Sequence, residues 1–244
     1  MDILRTGKDL RRLNEIVNIL ITHGFGDLIS RIGLAESLRK AGNLIRYKAS
    51  SEFVTMPLPV RTRKALEEMG PTFVKLGQIL ATRVDIFPEN WIQEFEKLQD
   101  NVPAVPFETL QPQVEASLGE PVSFAFQKID PEPLGSASMA QVYKAVTNNG
   151  KKVVLKIRRP GIQQTIEADL RLIRYIAQLA ASQSQELRRY RPVEMVKEIE
   201  RSLLRELDFS IEGKNAERIA ISLKRISYVK IPKVYWQWTC DTYR

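Results

Sequence analysis

The chain contains a loop of small residues followed, one hairpin later, by a lysine inside an apolar run. Residues 135–142 read G-S-A-S-M-A-Q-V, and Lys156 ends the run V-V-L-K. Loops with this glycine spacing cover nucleotide phosphates, and a lysine on the strand after the hairpin contacts the same phosphates. Ala137 and Ala140 occupy the second and third glycine positions, so the loop has fewer allowed backbone conformations. The pattern predicts a phosphate-binding lobe with a stiffened loop.

Hydrophobic periodicity and breaking residues divide the chain near residue 120. Helices are expected at 8–22, at 57–69, from residue 71, at 88–98 and at 107–118, and each ends near a glycine or a proline. The later pattern predicts strands at 122–126, 141–146, 152–157 and 231–238, a loop at 131–140, a turn at 148–150, and helices at 162–181 and 192–223. We therefore expect an α+β fold, with a helical extension at 1–120 and a sheet-plus-helix lobe at 121–244.

The charge balance favours an anionic partner. The 244 residues carry a net charge of +8, which suits nucleic acid, acidic lipid or a nucleotide phosphate. The basic residues are dispersed and not interleaved with aromatic residues, so a nucleic-acid module is not expected. A basic segment that contains Leu38, Leu44 and Ile45 is expected either to lie on a membrane surface or to pack as an exposed helix on the main body.

Residue counts exclude several kinds of site. The only cysteine is Cys240 and the only histidine is His23, so a disulfide framework, a metal centre and a histidine-based triad are not expected. His23 precedes Gly24 and is expected at the C-terminus of the first helix. The sequence has no run of 18 apolar residues and therefore predicts no membrane span.

Lys156 needs a counter-charge if it points into the lobe. Burying an unpaired ammonium is costly, so the side chain requires a carboxylate or a phosphate, and an exposed strand lysine is the alternative. The candidate acids on the helix expected at 192–223 are Glu206, Asp208 and Glu212. Asp208 and Glu212 would share a face, with Glu206 turned away from Glu212 by about 120°. Periodicity does not choose among them, and for any single acid a solvated helix face is the more common outcome.

A second constellation lies in the helix that begins at residue 71. Lys75 and Gln78 are three residues apart and project together, with Gly77 between them. Glycine inside a helix costs up to about 1 kcal/mol relative to alanine, so Gly77 indicates close approach of another backbone. An ordinary helix with one poor helix former is the alternative.

Five blocks of sequence together resemble the UbiB family of atypical kinase-like proteins. They are G-P-T-F-V-K-L-G-Q at 70–78, D-I-F-P at 85–88, P-L-G-S-A-S-M-A-Q-V-Y at 133–143, V-L-K-I-R-R-P-G at 154–161 and E-L-D-F at 206–209. The resemblance covers nearly the whole chain. It implies a protein-kinase-like N-lobe, made of an antiparallel sheet and a C-helix, behind a helical extension that carries the K-x-G-Q motif.

The resemblance also implies roles for individual residues. The catalytic network would comprise Lys75, Gln78, Glu206, Asp208 and Glu212, and the nucleotide loop would comprise Leu134, Gly135, Ser136, Ala137, Ser138, Met139, Ala140, Gln141 and Val142. Lys156 would hold the phosphates of ATP or ADP and pair with Glu212 on the C-helix. Lys75 would reach across the nucleotide pocket to Glu206. Gly135 stands where alanine is common in the family, a change that would alter nucleotide preference.

The implied function is the nucleotide-binding portion of an atypical kinase-like ATPase that supports ubiquinone biosynthesis. In the family the K-x-G-Q helix occupies the place of a protein substrate, which implies ATPase-type or small-molecule chemistry rather than protein phosphorylation. The expected location is the cytoplasmic face of a bacterial inner membrane, or alternatively the matrix side of a mitochondrial inner membrane. Expected partners are nucleotide, a membrane surface or quinone-precursor lipid, and other quinone-biosynthesis proteins, but not nucleic acid.

Phosphoryl transfer also needs a catalytic-loop Asp, a metal-binding Asn and a D-F-G Asp after the lysine strand. The only histidine, His23, precedes the lysine strand, so the H-x-D motif of a catalytic loop is absent after it. Asp208-Phe209-Ser210 resembles the D-F-G motif, but no catalytic loop comes before it. We therefore expect an N-terminal portion with the C-lobe absent, which binds nucleotide weakly and turns it over negligibly, with Mg²⁺ bound only when a C-lobe is present.

Two other functions are compatible with the sequence. One is a non-catalytic basic module that retains the lobe fold and docks on a membrane surface or a protein, supported by the charge of +8 and the missing C-lobe residues. The other, a conventional protein kinase, is disfavoured because Ala137 and Ala140 replace loop glycines and the K-x-G-Q helix is additional.

Overall fold

The computed structural model describes residues 7–34, 36, 51–98 and 103–239. Cys240 and the basic segment that contains Leu38, Leu44 and Ile45 lie outside the described residues. The helices include α1 (Gly7–Thr22), α2 (Gly26–Arg31), α3 (Ser51–Val54), α4 (Leu58–Met69), α5 (Pro71–Ala81), α6 (Glu89–Phe95), α7 (Phe107–Leu118), α8 (Val122–Ala125), α9 (Ile162–Gln183), α10 (Gln185–Arg188), α11 (Pro192–Leu207) and α12 (Phe209–Ser222). The strands are β1 (Phe126–Ser136), β2 (Ala140–Thr147) and β3 (Lys152–Arg158), and a 3₁₀ helix covers Trp236–Trp238. Among the described helices, none combines the length and the apolar character needed to span a membrane.

Glycine and proline set the ends of the helices in the first 120 residues. Gly70 separates α4 from α5 with φ = 95°, a backbone angle that favours glycine, and Pro71 fills the first position of α5. Gly119 ends α7 in the left-handed conformation. The helices predicted at 8–22, 57–69 and 107–118 are confirmed to within one residue, whereas α6 ends at Phe95 and does not reach residue 98.

The sheet has three antiparallel strands in the order β1-β2-β3. The predicted turn at 148–150 joins β2 to β3: Gly150 has φ = 74°, and its N–H donates to the carbonyl oxygen of Thr147 at 2.8 Å. The strand register places Val142 of β2 directly opposite Lys156 of β3. Because opposed residues project from the same face of a sheet, Val142 and Lys156 share a face, and the fully buried Tyr143 projects from the other.

The residues form two compact units that are discontinuous in sequence, residues 1–100 with 163–200, and residues 101–162 with 201–244. In the first unit, α1, α4, α5, α6 and α9 contribute to one apolar cluster. Arg12 of α1 donates to Asp169 Oδ1 of α9 at 2.8 Å, and Asp169 is fully buried. Arg171 of α9 donates back to Asp9 of α1 at 3.0 Å. These two pairs fix α9 to α1 across a large distance in sequence.

The second unit contains two smaller apolar clusters against the sheet. One joins α7 to the sheet through Leu110, Tyr143 and Ile157. The other surrounds Phe126, whose ring centroid lies 5.2 Å from that of Trp238 in the 3₁₀ helix. Since Tyr143 and Ile157 project from the face opposite to Lys156, α7 covers that face and leaves the lysine face to other elements.

The strand predicted at 122–126 is wrong, because residues 122–125 form the helical turn α8 and β1 begins only at Phe126. Pro121 stands immediately before this turn, and Phe124 is 69% exposed, so the alternation of apolar residues does not mark one buried face. β1 then runs on to Ser136, through most of the segment predicted as a loop at 131–140. The loop proper is the three residues 137–139.

The strand predicted at 231–238 is also wrong, because the described residues after β3 contain helices and irregular backbone but no strand. Pro232 has no N–H to give to a ladder. Farther along, Trp236 Nε1 donates to Glu217 Oε1 at 2.7 Å, and the rings of Tyr235 and Trp238 stack with centroids 5.6 Å apart. Contacts of the aromatic side chains therefore decide the conformation of this segment.

The long helix predicted at 192–223 is two helices, α11 and α12, with Asp208 between them. Asp208 has φ = −94° and ψ = 95°, and its Oδ1 accepts a hydrogen bond from the N–H of Ser210 at 2.9 Å. An aspartate in this position caps the start of a helix because it satisfies an N–H that has no partner within the helix. Glu206 and Glu212 therefore lie on different helices, and the angle predicted between them does not apply.

Candidate functional site

Lys156 lies at the centre of the candidate site. Its Nζ is 2.5 Å from Glu212 Oε2 of α12 and 4.7 Å from the ring centroid of Phe209. The two charged side chains are 41% and 59% exposed, so the ion pair contributes at most about 1 kcal/mol to stability. The ammonium is thus held by a carboxylate and an aromatic face while it stays within reach of an anionic ligand.

The loop residues fall into two groups. Leu134, Gly135, Ser136 and Ala137 are exposed or half-buried, whereas Ser138, Met139, Ala140 and Gln141 are buried. The N–H of Ala137 donates to the carbonyl oxygen of Ala140 at 2.9 Å and closes the turn. In this conformation only the first group and Val142 offer surface to a ligand, and the binding role of all nine residues stays a prediction.

Gln141 is engaged within the fold. Its Oε1 accepts from the N–H of Val105 at 2.8 Å, and its Nε2 donates to the carbonyl oxygen of Val105 at 3.0 Å and to Tyr143 Oη at 2.5 Å. The amide group therefore pairs with the backbone of Val105 as a neighbouring strand would, and it ties the segment before α7 to β2.

Two residues of the site were missed by the sequence reasoning. Phe209 contacts Lys156 through its ring, and Arg159, directly after β3, hydrogen-bonds the loop. The signal for Arg159 was the hairpin register, because an antiparallel β2–β3 pair brings the residue after β3 next to the residue before β2. Phe209 had no signal apart from its place in the E-L-D-F block.

Gly77 of the K-x-G-Q motif makes room for a side chain, not for another backbone as predicted. A Cβ at this position would lie 2.1 Å from Leu98 Cδ1 and 2.9 Å from Leu66 Cδ1. Gln78 Nε2 donates to the carbonyl oxygen of the same Leu98 at 3.1 Å. Within the first unit, two residues of the motif thus hold Leu98 in place.

The other predicted network residues, Asp208, Glu206 and Lys75, lie in different parts of the structure. The hydrogen bond from Ser210 lowers the pKa of the Asp208 carboxyl from its usual value, which keeps the helix cap ionised. Glu206 is exposed near the end of α11 and belongs to the second unit, whereas Lys75 belongs to the first. Their pairing across a nucleotide pocket stays a prediction, as do the catalytic roles of all five residues of the network.

The histidine is structural. His23 directly follows α1 and is 1% exposed, with its Nε2 2.7 Å from Glu68 Oε2 and its ring centroid 3.9 Å from that of Phe53. It thus stands at the helix end, as predicted, and makes contact with two later helices.

A cavity of about 450 Å³ runs along β3 in the second unit. All six residues 153–158 line it, which means that the open edge of the strand faces the cavity. Lys156 and Glu212 line the cavity. Among the described residues, those of the loop at 134–142 do not line it. Lys156 therefore takes part in two features. It borders the cavity, and it is paired with Val142 on β2, the strand that follows the loop.

Comparison with known proteins gives a consistent result. Residues 97–243 match the model of the ABC1 atypical kinase-like domain. The chain is 42% identical over 179 residues to "Probable protein kinase UbiB" of Marinobacter nauticus, an alignment that covers 73% of this chain and 33% of the relative. It is 36% identical over 234 residues to the protein of the same name from Sodalis glossinidius, covering 96% and 43%. It is 38% identical over 177 residues to "Protein ACTIVITY OF BC1 COMPLEX KINASE 7, chloroplastic" of Arabidopsis thaliana, covering 72% and 25%. The chain thus spans less than half the length of these relatives.

Proposed function

Because the chain belongs to the UbiB/ABC1 family of atypical kinase-like proteins, we propose that it forms the nucleotide-binding portion of an atypical ATPase that supports ubiquinone biosynthesis. Its small antiparallel sheet with α12 is a kinase-like N-lobe. The family supports the general assignment to a kinase-like protein. ATP as the ligand and quinone synthesis as the process are parts of the proposal.

The ion pair between Lys156 and Glu212 is the observation that carries the proposal. In kinase-like lobes a strand lysine that pairs with a helix glutamate is the group that holds nucleotide phosphates. Here the lysine is accessible, lies opposite Val142, and follows a loop whose first residues are at the surface. An accessible ammonium whose residue is paired with Val142, on the strand that follows the loop, fits a phosphate, so these residues fit one end of a nucleotide.

Hydrolysis would require more residues than these. The family resemblance implies a second ion pair between Lys75 and Glu206, with Gln78 and Asp208 in the same network, and these roles are part of the proposal. Since the only histidine, His23, precedes the lysine strand, no H-x-D motif of a catalytic loop follows that strand within these residues, and the 244 residues by themselves should bind ATP or ADP weakly and hydrolyse ATP negligibly. Mg²⁺ binding belongs with a C-lobe.

The direct test is the affinity of the 244-residue chain for a fluorescent ATP analogue, followed by fluorescence anisotropy. Lys156→Met should weaken binding by about tenfold or more, because it removes the charge that meets the phosphates and leaves a side chain of similar length. Lys128→Gln is the matched control, since Lys128 is an exposed lysine of β1 in the same unit. Equal affinity of Lys156→Met and the unmodified chain would contradict the proposal.

One surface favours a second candidate, a basic module that docks on an anionic membrane. Ile221 and Tyr228, at and beyond the end of α12, are 75% and 87% exposed. The exposed Lys224, Arg225 and Lys230 lie on the same segment. Apolar side chains among lysines and arginines suit the headgroup region of an anionic bilayer.

Sedimentation with phosphatidylglycerol vesicles separates the two candidates. A docking module should sediment with these vesicles, lose that binding when Lys224, Arg225 and Lys230 are changed to glutamine, and keep it after Lys156→Met. No sedimentation at low salt would exclude the docking module. It would also leave the location at the cytoplasmic face of a bacterial inner membrane without support from this chain.

A further inference from the structure

Arg159 holds the tip of the loop through several hydrogen bonds. Its Nε donates to the carbonyl oxygen of Ala137 at 2.8 Å, and its Nη2 donates to Ser136 Oγ at 2.7 Å and to the carbonyl oxygen of Pro103 at 2.8 Å. Its backbone N–H donates to the carbonyl oxygen of Met139 at 2.9 Å. One residue therefore contacts both sides of the loop and the segment that precedes α7.

This arrangement requires a guanidinium group. The acceptors lie in different directions around one planar head, and the fixed fork of arginine donors satisfies them at the same time. A lysine ammonium at the same position has the charge but not this spread of donors. Burial lowers the pKa of Arg159 because it removes water from the guanidinium, so the loop acceptors replace part of its hydration.

The segment before α7, to which Arg159 is hydrogen-bonded at Pro103, is itself held by the sheet. The side-chain amide of Gln141 pairs with both backbone groups of Val105, two residues after Pro103. The segment before α7 is therefore attached to β2 at Val105 and to Arg159 at Pro103. The loop tip is held between a strand end and a segment that the sheet keeps in place.

We propose that Arg159 is a positioning residue that keeps the tip of the nucleotide loop in a preformed conformation, so that ligand phosphates meet an ordered loop. The proposal rests on the proposed nucleotide function. A preformed loop binds more tightly because the entropy of ordering it is not lost at the moment of binding. Since Arg159 lies outside the Lys156–Glu212 pair, its loss should loosen the loop and leave that pair in place.

The test measures loop order and nucleotide affinity on the same protein. Amide hydrogen exchange of the 244-residue chain, with no nucleotide present, reports the hydrogen bond from Ala137 to Ala140. Arg159→Lys should speed exchange at Ala137 by about tenfold and leave the amides of the β2–β3 ladder unchanged. The same variant should weaken binding of the fluorescent ATP analogue by about three- to tenfold. Lys128→Gln is again the control and should change neither quantity.

A second variant keeps the test decisive if Arg159→Lys folds poorly. Ser136→Ala removes one acceptor of Arg159 and should speed exchange at Ala137 by a smaller factor. Unchanged exchange at Ala137, or exchange that rises equally across the whole sheet, would overturn the proposal, because the second result indicates only a general loss of stability. Faster exchange at Ala137 without loss of affinity would also overturn it.

Failure of the proposed nucleotide function would give a different combination of results from failure of the proposal for Arg159. If the unmodified chain binds no nucleotide analogue while Arg159→Lys still speeds exchange at Ala137 alone, the nucleotide function fails, whereas the ordering of the loop by Arg159 stands. The nucleotide part of the positioning proposal would then fall with the proposed function.

Discussion

Replacing Gly77 with alanine tests whether the K-x-G-Q motif is shaped by its contact with Leu98. The new Cβ would lie 2.1 Å from Leu98 Cδ1 and 2.9 Å from Leu66 Cδ1, whereas carbon atoms normally approach to about 3.5–4.0 Å. Both leucines are buried, so they have little room to move away. Overpacking of this kind costs about 1–3 kcal/mol. The better helix propensity of alanine returns up to about 1 kcal/mol.

The expected net result is a loss of about 1 kcal/mol, which corresponds to a fall in melting temperature of about 2–4 °C for a chain of this size. Thermal unfolding followed by circular dichroism measures it. A Leu98→Ala background removes the closer of the two clashing methyl groups and leaves space into which Leu66 can move. There Gly77→Ala should cost less than in the unmodified chain or be stabilising, and the two changes should couple by about 1–2 kcal/mol in a double-mutant cycle.

Gly26→Ala is the matched control, because Gly26 is also helical and a Cβ there would meet no atom within 4 Å. It should leave the melting temperature unchanged or raise it slightly. If Gly77→Ala raises the melting temperature in both backgrounds, the close contact with Leu98 does not constrain the motif and the steric argument is refuted.

Three further predictions concern single side chains. Asp208→Ala should cost about 1 kcal/mol through loss of the helix cap. Because the hydrogen bond from Ser210 lowers the pKa of Asp208 below its usual 3.8, this contribution should be complete above about pH 4 and disappear as the pH falls through the lowered pKa, as urea unfolding at several pH values will show. Asp169→Ala removes a buried carboxylate partner of Arg12 and should cost about 2 kcal/mol or more, with Asp169→Asn in between, measured by urea midpoints. Lys156→Met should change stability by no more than about 1 kcal/mol, since its ion pair is exposed, so that any loss of nucleotide binding does not reflect unfolding in a thermal shift assay.

Local signals were sufficient where a single residue type decides the backbone. Gly70 with Pro71, Gly119 and Gly150 each require or favour one backbone conformation, and the elements they bound are where the sequence predicted them. Asp208 carried an equally local signal as a helix cap. It was overlooked because the apolar period continues through it from α11 into α12, and periodicity reports which face is apolar but not whether the backbone is continuous.

The strand predictions at 122–126 and 231–238 were wrong for a different reason. Their apolar residues alternate, but tertiary contacts of the side chains, such as Trp238 on Phe126, determine the conformation. The candidate site shows the same limit. The partner of Lys156 lies 56 residues away, and periodicity alone left Glu206, Asp208 and Glu212 equally open until the family resemblance favoured the last. The bonds from Arg159 to the loop follow from the register of the β2–β3 hairpin, whereas its bond to Pro103 joins residues 56 apart and has no local signal.

The discontinuous layout of the first unit has a consequence for how the protein is made. Residues 1–100 leave the ribosome before α9 has been translated, and during that interval Arg12 has no access to Asp169 and the apolar face that α9 will cover is open. Translation must pass through the whole sheet before the first unit can close. A nascent chain halted in that interval exposes this apolar face, and a gene divided at residue 120 would encode two fragments, each of which lacks helical residues of its own unit.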